Sequence, residues 1–245
     1  MKIKIPWYTW VYLCIFLISG YSRVVIYCFL LLTIHEGCHI LMAILLRRKI
    51  RTLIIYPIGI GMEIEALEYM PSIYEFTIAL AGPLSIYIST SILYLLNHIN
   101  ILTNHQYMYL QDMNINLFLF NMLPIYPLDA GRMLHAILHI LFPYKVAYIL
   151  TMILSVIFLR LLSHLFDPSI LILYLSILCI FLISNIITVS KKIYSFHLYR
   201  YLYPIHTSHT RLNHTNILYR NIVSIFPKKF MSEKEYLKSI FERHI

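Results

Sequence analysis

The sequence predicts an all-α polytopic membrane protein with six transmembrane helices, a broken fourth helix, and a short membrane-surface hairpin between helices 2 and 3. Hydrophobic residues make up 60% of the 245 residues, and the mean hydropathy is +0.72. Charged residues make up 13%, about half of the roughly 25% found in soluble domains. This composition excludes a soluble globular fold and intrinsic disorder, and four cysteines are too few for a disulfide scaffold.

Six stretches are apolar over about the 20 residues that a helix needs to cross a bilayer. They are Ile5–Tyr21, Val24–Leu46, Phe76–Leu96, Ile115–Phe142, Val146–Leu165 and Ile170–Val189. Trp7 and Trp10 stand at the start of the first stretch, as is typical of the aromatic belt at a membrane surface. Pro124 and Pro127 interrupt the fourth stretch, which predicts a helix that breaks inside the membrane.

The connections differ in character. In residues 50–75, Gly59 and Gly61 interleave with apolar and acidic residues, which predicts a short hairpin at the membrane surface. Residues 97–114 contain no Lys or Arg and are expected to form a loop. His135 and His139, near the end of the fourth stretch, are expected to lie at the membrane interface.

Positive charge is concentrated towards the C-terminus. Residues 1–190 hold 10 Lys and Arg against 8 Asp and Glu, whereas residues 191–245 hold 10 against 3. Because Lys and Arg mark cytoplasmic segments and attract anionic lipid, the net charge of +9 indicates orientation rather than nucleic-acid binding. We therefore expect a six-span domain over residues 1–190 and a basic tail over residues 191–245, with both termini cytoplasmic.

The tail ends with a pattern that is typical of a short amphipathic helix. Ser232 stands at the position of an N-cap, and an apolar stripe follows it. We expect this stripe to lie on lipid or on a partner. It comprises Tyr236, Leu237, Ile240 and Phe241.

The second apolar stretch contains an HExxH pattern, His35-Glu36-Gly37-Cys38-His39. Residues i and i+4 of a helix share a face, so both imidazoles can reach one Zn²⁺, and Glu36 is then placed to accept a proton from water. A carboxylate at mid-bilayer costs about 2.5–3.5 kcal/mol on insertion scales, which indicates that Glu36 is functional. The alternative is a pair of hydrogen-bonded core histidines, which the intervening carboxylate disfavours.

A catalytic zinc site has three protein ligands and one open position, so a third ligand is needed. Asp129 is the candidate, because Pro124 and Pro127 break the helix just before it. Broken helix at membrane depth is tolerated where it is buried in protein or lines a water-filled cavity. The alternative is a proline kink in which Asp129 pairs with Arg132.

Three motifs carry a resemblance to a known family: HEGCH at 35–39, ALAGPLS at 79–85 and NMLPIYPLDAGR at 121–132. In order and spacing they resemble the site-2 protease family of intramembrane zinc metalloproteases (M50), and within it the stage IV sporulation protein FB branch. The resemblance implies that His35, His39 and Asp129 bind one Zn²⁺ per chain and that Glu36 activates the water. It also implies that Asn121 supports the active-site polar network and that the 50–75 segment presents an edge to an extended substrate.

The activity that the resemblance implies is that of a zinc metalloendopeptidase, which hydrolyses a peptide bond in or near a transmembrane segment of a membrane-tethered precursor. In this branch the precursor is a sporulation sigma factor, which is activated by removal of its pro-sequence. The expected partners are this precursor and the lipid bilayer, without nucleic acid; we also allow for inhibitory membrane proteins and a homo-oligomer. The expected location is the bacterial cell membrane or a sporulation-related internal membrane.

Two other functions would also place His, Glu and Asp inside a membrane: an ion or metal transporter, and an inactive protease-like scaffold. A transporter is expected to spread polar residues along several spans. Here the carboxylates deep in the predicted spans occur at only two points, Glu36 and Asp129, which favours the enzyme.

Overall fold

The computed structural model describes residues 2–18, 20, 22–56, 59–165, 168–204, 210–212, 218–226 and 231–241. Within these ranges the chain is mostly helical, with two small sheets. The helices are α1 (Trp7–Ile18), α2 (Ser22–Leu45), α3 (Ser72–His98), α4 (Asn104–Asn121), α5 (Asp129–Leu141), α6 (Tyr144–Leu165), α7 (Pro168–Leu202) and α8 (Glu233–Phe241). The strands are β1 (Lys2–Lys4), β2 (Ile50–Tyr56), β3 (Gly59–Ile64), β4 (Thr210–Leu212), β5 (Val223–Phe226) and β6 (Met231–Ser232).

Three helices in the described part of the chain are long and apolar enough to cross a membrane. They lie over Arg23–Leu45, Ser72–His98 and Tyr144–Leu162, and match the second, third and fifth predicted spans. The first predicted span differs, because α1 has 12 residues. At 1.5 Å per residue such a helix covers about 18 Å of a hydrocarbon core that is about 30 Å thick. Six full-length spans are therefore not confirmed.

The fourth predicted span is two helices. α4 ends at Asn121 and α5 begins at Asp129, so the break falls at the predicted prolines. The N-terminal half was predicted wrongly, since α4 begins at Asn104 within the expected 97–114 loop. Its start is fixed by a capping box, in which the Thr103 side chain accepts from the Gln106 backbone N–H and the Gln106 side chain accepts from the Thr103 backbone N–H.

The burial pattern of α2 is inverted relative to that of a soluble helix. Leu30, Leu41 and Ile44 are more than half exposed, whereas His35 and His39 are 3% and 4% exposed. Large apolar side chains that face outward while imidazoles face inward are typical of a helix surrounded by lipid. The expected membrane helix around the HExxH pattern therefore has its polar residues on a protein-facing side.

The chain divides into two compact units, of which the first is Met1–Glu65 with Thr77–Leu123. β2 and β3 form the predicted short hairpin, paired antiparallel from Ile50↔Ile64 to Tyr56↔Gly59. β1 adds a parallel strand on the other side of β2, and this strand was not predicted. In the helical part, the Ser89 hydroxyl donates to the Asn114 side-chain oxygen at 2.8 Å and joins α3 to α4.

The second unit is Ala66–Phe76 with Pro124–Ile245. Its core stacks Tyr144 on Phe196, with ring centroids 3.9 Å apart and planes inclined by 2°. His135 and His139 are each 1% exposed in this unit, so the expectation that they lie at the membrane interface was wrong. Their Nε2 atoms share a hydrogen bond of 3.1 Å, and the Thr151 hydroxyl lies 3.0 Å from His135 Nδ1.

The C-terminal part of the described chain is integrated into this unit. Arg220 donates to the Glu75 carboxylate at 2.5 Å and to the carbonyls of Leu67 and Met70. β4, β5 and β6 form a sheet that was not predicted, so the chain is not all-α. α8 is present, but Tyr236 and Leu237 pack into the core of their own unit rather than on lipid. The side chains of Ile240 and Phe241 are not among those that the structure describes.

Candidate metal centre

α2 presents His35 and His39 one helical turn apart on a buried face. Their ring centroids are 5.0 Å apart and the ring planes are inclined by 83°. A helix brings residues i and i+4 onto one face because each residue advances about 100° around the axis. The predicted juxtaposition of the two imidazoles is therefore a direct consequence of helix geometry.

The Nδ1 atom of each imidazole lies close to a polar atom of α3. His39 Nδ1 is 2.6 Å from the carbonyl oxygen of Ile78, and the Ser85 hydroxyl is 3.5 Å from His35 Nδ1. Because a carbonyl oxygen can only accept, Nδ1 of His39 carries the proton. The lone pair of neutral His39 is then on Nε2, which is the arrangement that a metal ligand requires.

Gly82 on α3 fixes how closely the two helices approach each other at this point. A Cβ at position 82 would collide with the His39 ring at Nε2 and Cε1 and would lie 2.7 Å from His35 Nε2. The Nε2 atoms of both histidines therefore converge on one small region beside Gly82. Gly82 and Ser85 of the ALAGPLS segment thus contribute space for the imidazoles and one of the polar atoms beside them, and the preceding Ile78 contributes the other, which the sequence alone did not reveal.

Glu36 lies on α2 between the two histidines, where its side chain is partly buried. It follows His35 by one residue, so it projects about 100° around the helix from that imidazole. A carboxylate in this position can reach the edge of the histidine face rather than its centre. This placement suits a proton acceptor and does not suit a third ligand on the same face.

In the second unit, Asp129 is the first residue of α5 and is 6% exposed. A carboxylate in the first turn of a helix is stabilised by the unpaired backbone N–H groups and the positive end of the helix dipole. The preceding loop is anchored where the Tyr126 backbone N–H donates to Ser155 Oγ at 2.9 Å. The Tyr126–Pro127 peptide bond of this loop is cis.

Gly131 allows the loop to fold onto the first turn of α5. A Cβ at this position would collide with backbone atoms of Ile125 and Tyr126. Backbone cannot swing aside as a side chain can, so only glycine fits here. The LDAGR segment thus combines a buried carboxylate with the glycine that lets its helix start beside a tight loop.

Asn121 is the last residue of α4 and is partly buried. Its side-chain amide donates to the Leu117 carbonyl of the same helix at 3.0 Å. This bond uses one of the two donors of the amide, which leaves its oxygen and a second N–H for other partners.

Two imidazoles and a carboxylate are a ligand set that zinc accepts. His35, His39 and Asp129 have these side chains, and each of the three is buried within its own unit, at 3%, 4% and 6% exposed.

Two comparisons with known proteins lead to one family, although no family model matches the chain. The chain is 26% identical over 163 residues to stage IV sporulation protein FB of Bacillus subtilis (strain 168). The match covers 66% of this chain and 57% of that protein, so the aligned part spans little more than half of the relative.

Among solved structures, the fold is similar to that of the site-2 protease from Methanocaldococcus jannaschii. The TM-score is 0.53 at 20% sequence identity, and the match covers 84% of this chain and 95% of that chain. With three helices of membrane-spanning length and hydropathy among the described residues, the chain is a membrane protein. Sequence and fold together confirm the resemblance to the site-2 protease family that the three motifs carry.

Proposed function

We propose that this chain is an intramembrane zinc metalloprotease that hydrolyses a peptide bond in or near a transmembrane segment of a membrane-tethered precursor. The observation that carries this proposal is the convergence of His35 Nε2 and His39 Nε2 beside Gly82, on a buried face of a membrane helix. Similarity to stage IV sporulation protein FB supports the same activity.

In this proposal His35, His39 and Asp129 hold one zinc ion per chain. The donor set fits zinc, because Nδ1 of His39 donates to the Ile78 carbonyl and the lone pair of the neutral imidazole therefore lies on Nε2. Three protein ligands also leave a fourth position open, as catalytic zinc sites do. When bound, zinc supplies a Lewis acid that polarises a carbonyl and brings the pKa of water to about 7.

Glu36 is the proposed general base. Its carboxylate accepts the proton of the attacking water and, once protonated, can return that proton to the leaving amine. Its position on α2 between the two histidines, at the edge of their shared face, favours this role. We place Asn121 beside this chemistry as a hydrogen-bonding support.

The substrate must present an extended backbone, because a transmembrane helix hides its carbonyls in hydrogen bonds. β2 has a neighbour on each side, β1 and β3, whereas β3 pairs only with β2 within the described residues. We propose that the unwound substrate adds to the open edge of β3 by strand addition. If cleavage persists after the Gly59–Met62 stretch is replaced by an unrelated linker, this docking mode is wrong.

The proposed precursor is a sporulation sigma factor, whose pro-sequence would be removed to release the active protein. His39 lies six residues before the C-terminal end of α2, and the basic residues 47–51 follow. At 1.5 Å per residue this is about 9 Å from the helix end. On the positive-inside rule that end is cytoplasmic, which suits release of the product into the cytoplasm.

Co-expression of the full chain with candidate membrane-tethered precursors tests the proposal, with Glu36→Gln as the matched variant. We expect the natural chain to cleave the precursor, and Glu36→Gln to keep its zinc while cleavage falls by at least about 10²-fold, as for loss of a general base. Full cleavage by Glu36→Gln would exclude Glu36 as the base. No cleavage by either chain, with zinc bound in both, would favour the scaffold or transporter functions.

Metal analysis tests the ligand set independently of any substrate. His35→Ala and Asp129→Asn each remove one donor, and we expect zinc content to drop from one equivalent to a small fraction. If either variant still holds a full equivalent of zinc, that residue is not a ligand. Cys38→Ala is a suitable control, because this partly buried residue lies inside the same motif and is not a proposed ligand.

A further inference from the structure

The three-stranded sheet of the first unit bounds a charged cleft whose lining contains none of the proposed zinc ligands. The cleft has a volume of about 540 Å³. Its charged lining comprises four cationic and two anionic side chains: Lys2, Lys4, Lys49, Arg51, Glu63 and Glu65. All six side chains are exposed.

Strand pairing brings these residues together. Lys2 lies opposite Thr52, and Thr52 lies opposite Glu63, so one row crosses all three strands. Lys4 shares the face of Lys2, because alternate residues of a strand point the same way. An irregularity in pairing between Ile50 and Thr52 accommodates Arg51, the kind of bulge that commonly stands at a functional edge.

The charged side chains of this cleft form no ion pairs with one another in the described part of the chain. In the described ranges of the chain, no hydrogen bond or ion pair joins any of these six side chains to another group. Four cations around one cavity repel each other, and the two carboxylates are too distant to neutralise them by contact. The pairing of β1 with β2 brings Lys2 and Lys4 towards Lys49 and Arg51, so an anion in the cleft would stabilise this pairing.

Neighbouring residues place the cleft at the level of lipid headgroups. Lys49 follows by four residues the end of the membrane-span candidate Arg23–Leu45. On the other side, β1 leads directly into α1, whose Trp7 and Trp10 are 76% and 59% exposed. Exposed tryptophans are enriched at the membrane–water interface, and juxtamembrane Lys and Arg attract anionic headgroups.

We propose that this cleft binds the phosphate of an anionic phospholipid headgroup. Lys and Arg side chains donate charge-assisted hydrogen bonds to phosphate oxygens, and the planar guanidinium of Arg51 can engage two oxygens at once. Glu63 and Glu65 limit the net charge of the lining, so they oppose the anion and can accept hydrogen bonds from headgroup hydroxyls. The bound lipid neutralises the lysines of β1 and holds this strand on the sheet.

Lipid titration of the full chain in a neutral detergent tests the proposal, with phosphatidylglycerol, phosphatidylethanolamine and inorganic phosphate as probes and native mass spectrometry as readout. We expect saturable binding of one phosphatidylglycerol. Each charge removed near a membrane surface is worth about fivefold in affinity, so Lys2→Gln with Arg51→Gln weakens binding by about 25-fold. Glu63→Gln tightens it by a similar factor of about five.

Two controls separate a specific site from general basicity. Lys145→Gln with Lys191→Gln removes two exposed cations that do not line the cleft, and binding is expected to stay unchanged. Lys4→Arg keeps the charge and is expected to keep binding. Equal weakening by the control pair, or no tightening by Glu63→Gln, would overturn the site. Inorganic phosphate that binds as tightly as phosphatidylglycerol would overturn a lipid as its ligand.

Discussion

Gly82 lies against the imidazole of His39, so closely that a single added methyl group would occupy the space of Nε2 and Cε1. The Nδ1 side of the same ring is held by the carbonyl of Ile78, one turn earlier on α3. One helix therefore both orients the proposed ligand and leaves room for it. A substitution of Gly82 is therefore the most direct test of the proposed metal centre.

Gly82→Ala is expected to abolish zinc binding while the rest of the fold persists. The added Cβ displaces His39 and crowds His35 Nε2, so neither lone pair keeps its direction. Loss of a group that merely orients a ligand costs about 10–100-fold in metal affinity, and displacement of the ligands should reach at least the upper end. Zinc content of the purified variant, measured by mass spectrometry, checks this.

Gly37→Ala is the matched control, because it makes the same chemical change inside the HExxH pattern. A Cβ on Gly37 meets nothing within 4 Å. We expect full zinc content and, since Ala is favoured over Gly in a helix interior by about 0.5–1 kcal/mol, unchanged or higher thermal stability. If Gly37→Ala also loses zinc, the motif tolerates no change of any kind. The loss of zinc in Gly82→Ala would then not show a specific collision with His39.

The loop before Asp129 gives a second prediction, this time for stability. Gly131→Ala forces a Cβ into the backbone at Ile125 and Tyr126, which is an overpacking that typically costs about 1–3 kcal/mol or more. Ser155→Ala removes the hydroxyl that accepts from the Tyr126 N–H and leaves a buried donor unsatisfied, at about 1–3 kcal/mol. Thermal unfolding in detergent should show both variants below the natural chain.

Ala130→Gly serves as the control for that pair. It exchanges the same two residue types one position earlier in α5 and costs about 0.5–1 kcal/mol through helix propensity alone. If Gly131→Ala is no less stable than Ala130→Gly, then the collision is relieved by movement of the loop, and the tight turn does not define the position of Asp129.

Local pattern was enough to predict the parts of the site that depend on local geometry. Four-residue spacing puts His35 and His39 together on any helix, and Pro124 with Pro127 must end one. The glycines at 59 and 61 likewise marked the β2–β3 hairpin. The start of α4 was missed because polar residues such as Asn104 and Gln106 lower the hydropathy there, although the capping box with Thr103 is visible in the sequence.

Long-range pairing explains most of what the sequence did not reveal. Glu75 and Arg220 are 145 residues apart in the chain, and no local period relates them. The burial of His135 and His139 was not predicted, because Thr151, the partner of His135, belongs to another helix. The function of Gly82 also became visible only when α3 was placed against α2.

The cap of α8 leads to a prediction about pH. Hydrogen bonds from the Ser232 backbone N–H and hydroxyl hold the pKa of the Glu235 carboxyl below its ordinary value. A lowered folded-state pKa means that the stabilisation is present above the unfolded pKa of about 4.3 and is lost as the pH falls through the folded value. Glu235→Ala should therefore unfold at a lower temperature than the natural chain at pH 7, and this difference should shrink towards pH 3.

Lys234→Ala is the control for the cap, since this exposed neighbour is not part of the Ser232–Glu235 hydrogen bonding. Its effect on the unfolding temperature, whatever its size, should not change as the Glu235 carboxyl titrates. If Glu235→Ala lowers the unfolding temperature by the same amount at every pH, the ionised carboxylate does not contribute to stability.

The ion pair between Arg220 and Glu75 supports the last prediction. The Arg220 side chain is fully buried, the Glu75 side chain is 3% exposed, and the guanidinium also holds two backbone carbonyls of residues 67–70. Removing one partner of a buried pair leaves an uncompensated charge, which costs about 3–5 kcal/mol. Arg220→Met should therefore lower the unfolding temperature strongly, whereas Arg220→Met combined with Glu75→Gln should recover part of the loss because no buried charge is left unpaired. A double variant as unstable as Arg220→Met would show that the bonds to the carbonyls, rather than the ion pair, fasten the C-terminal segment to residues 66–76.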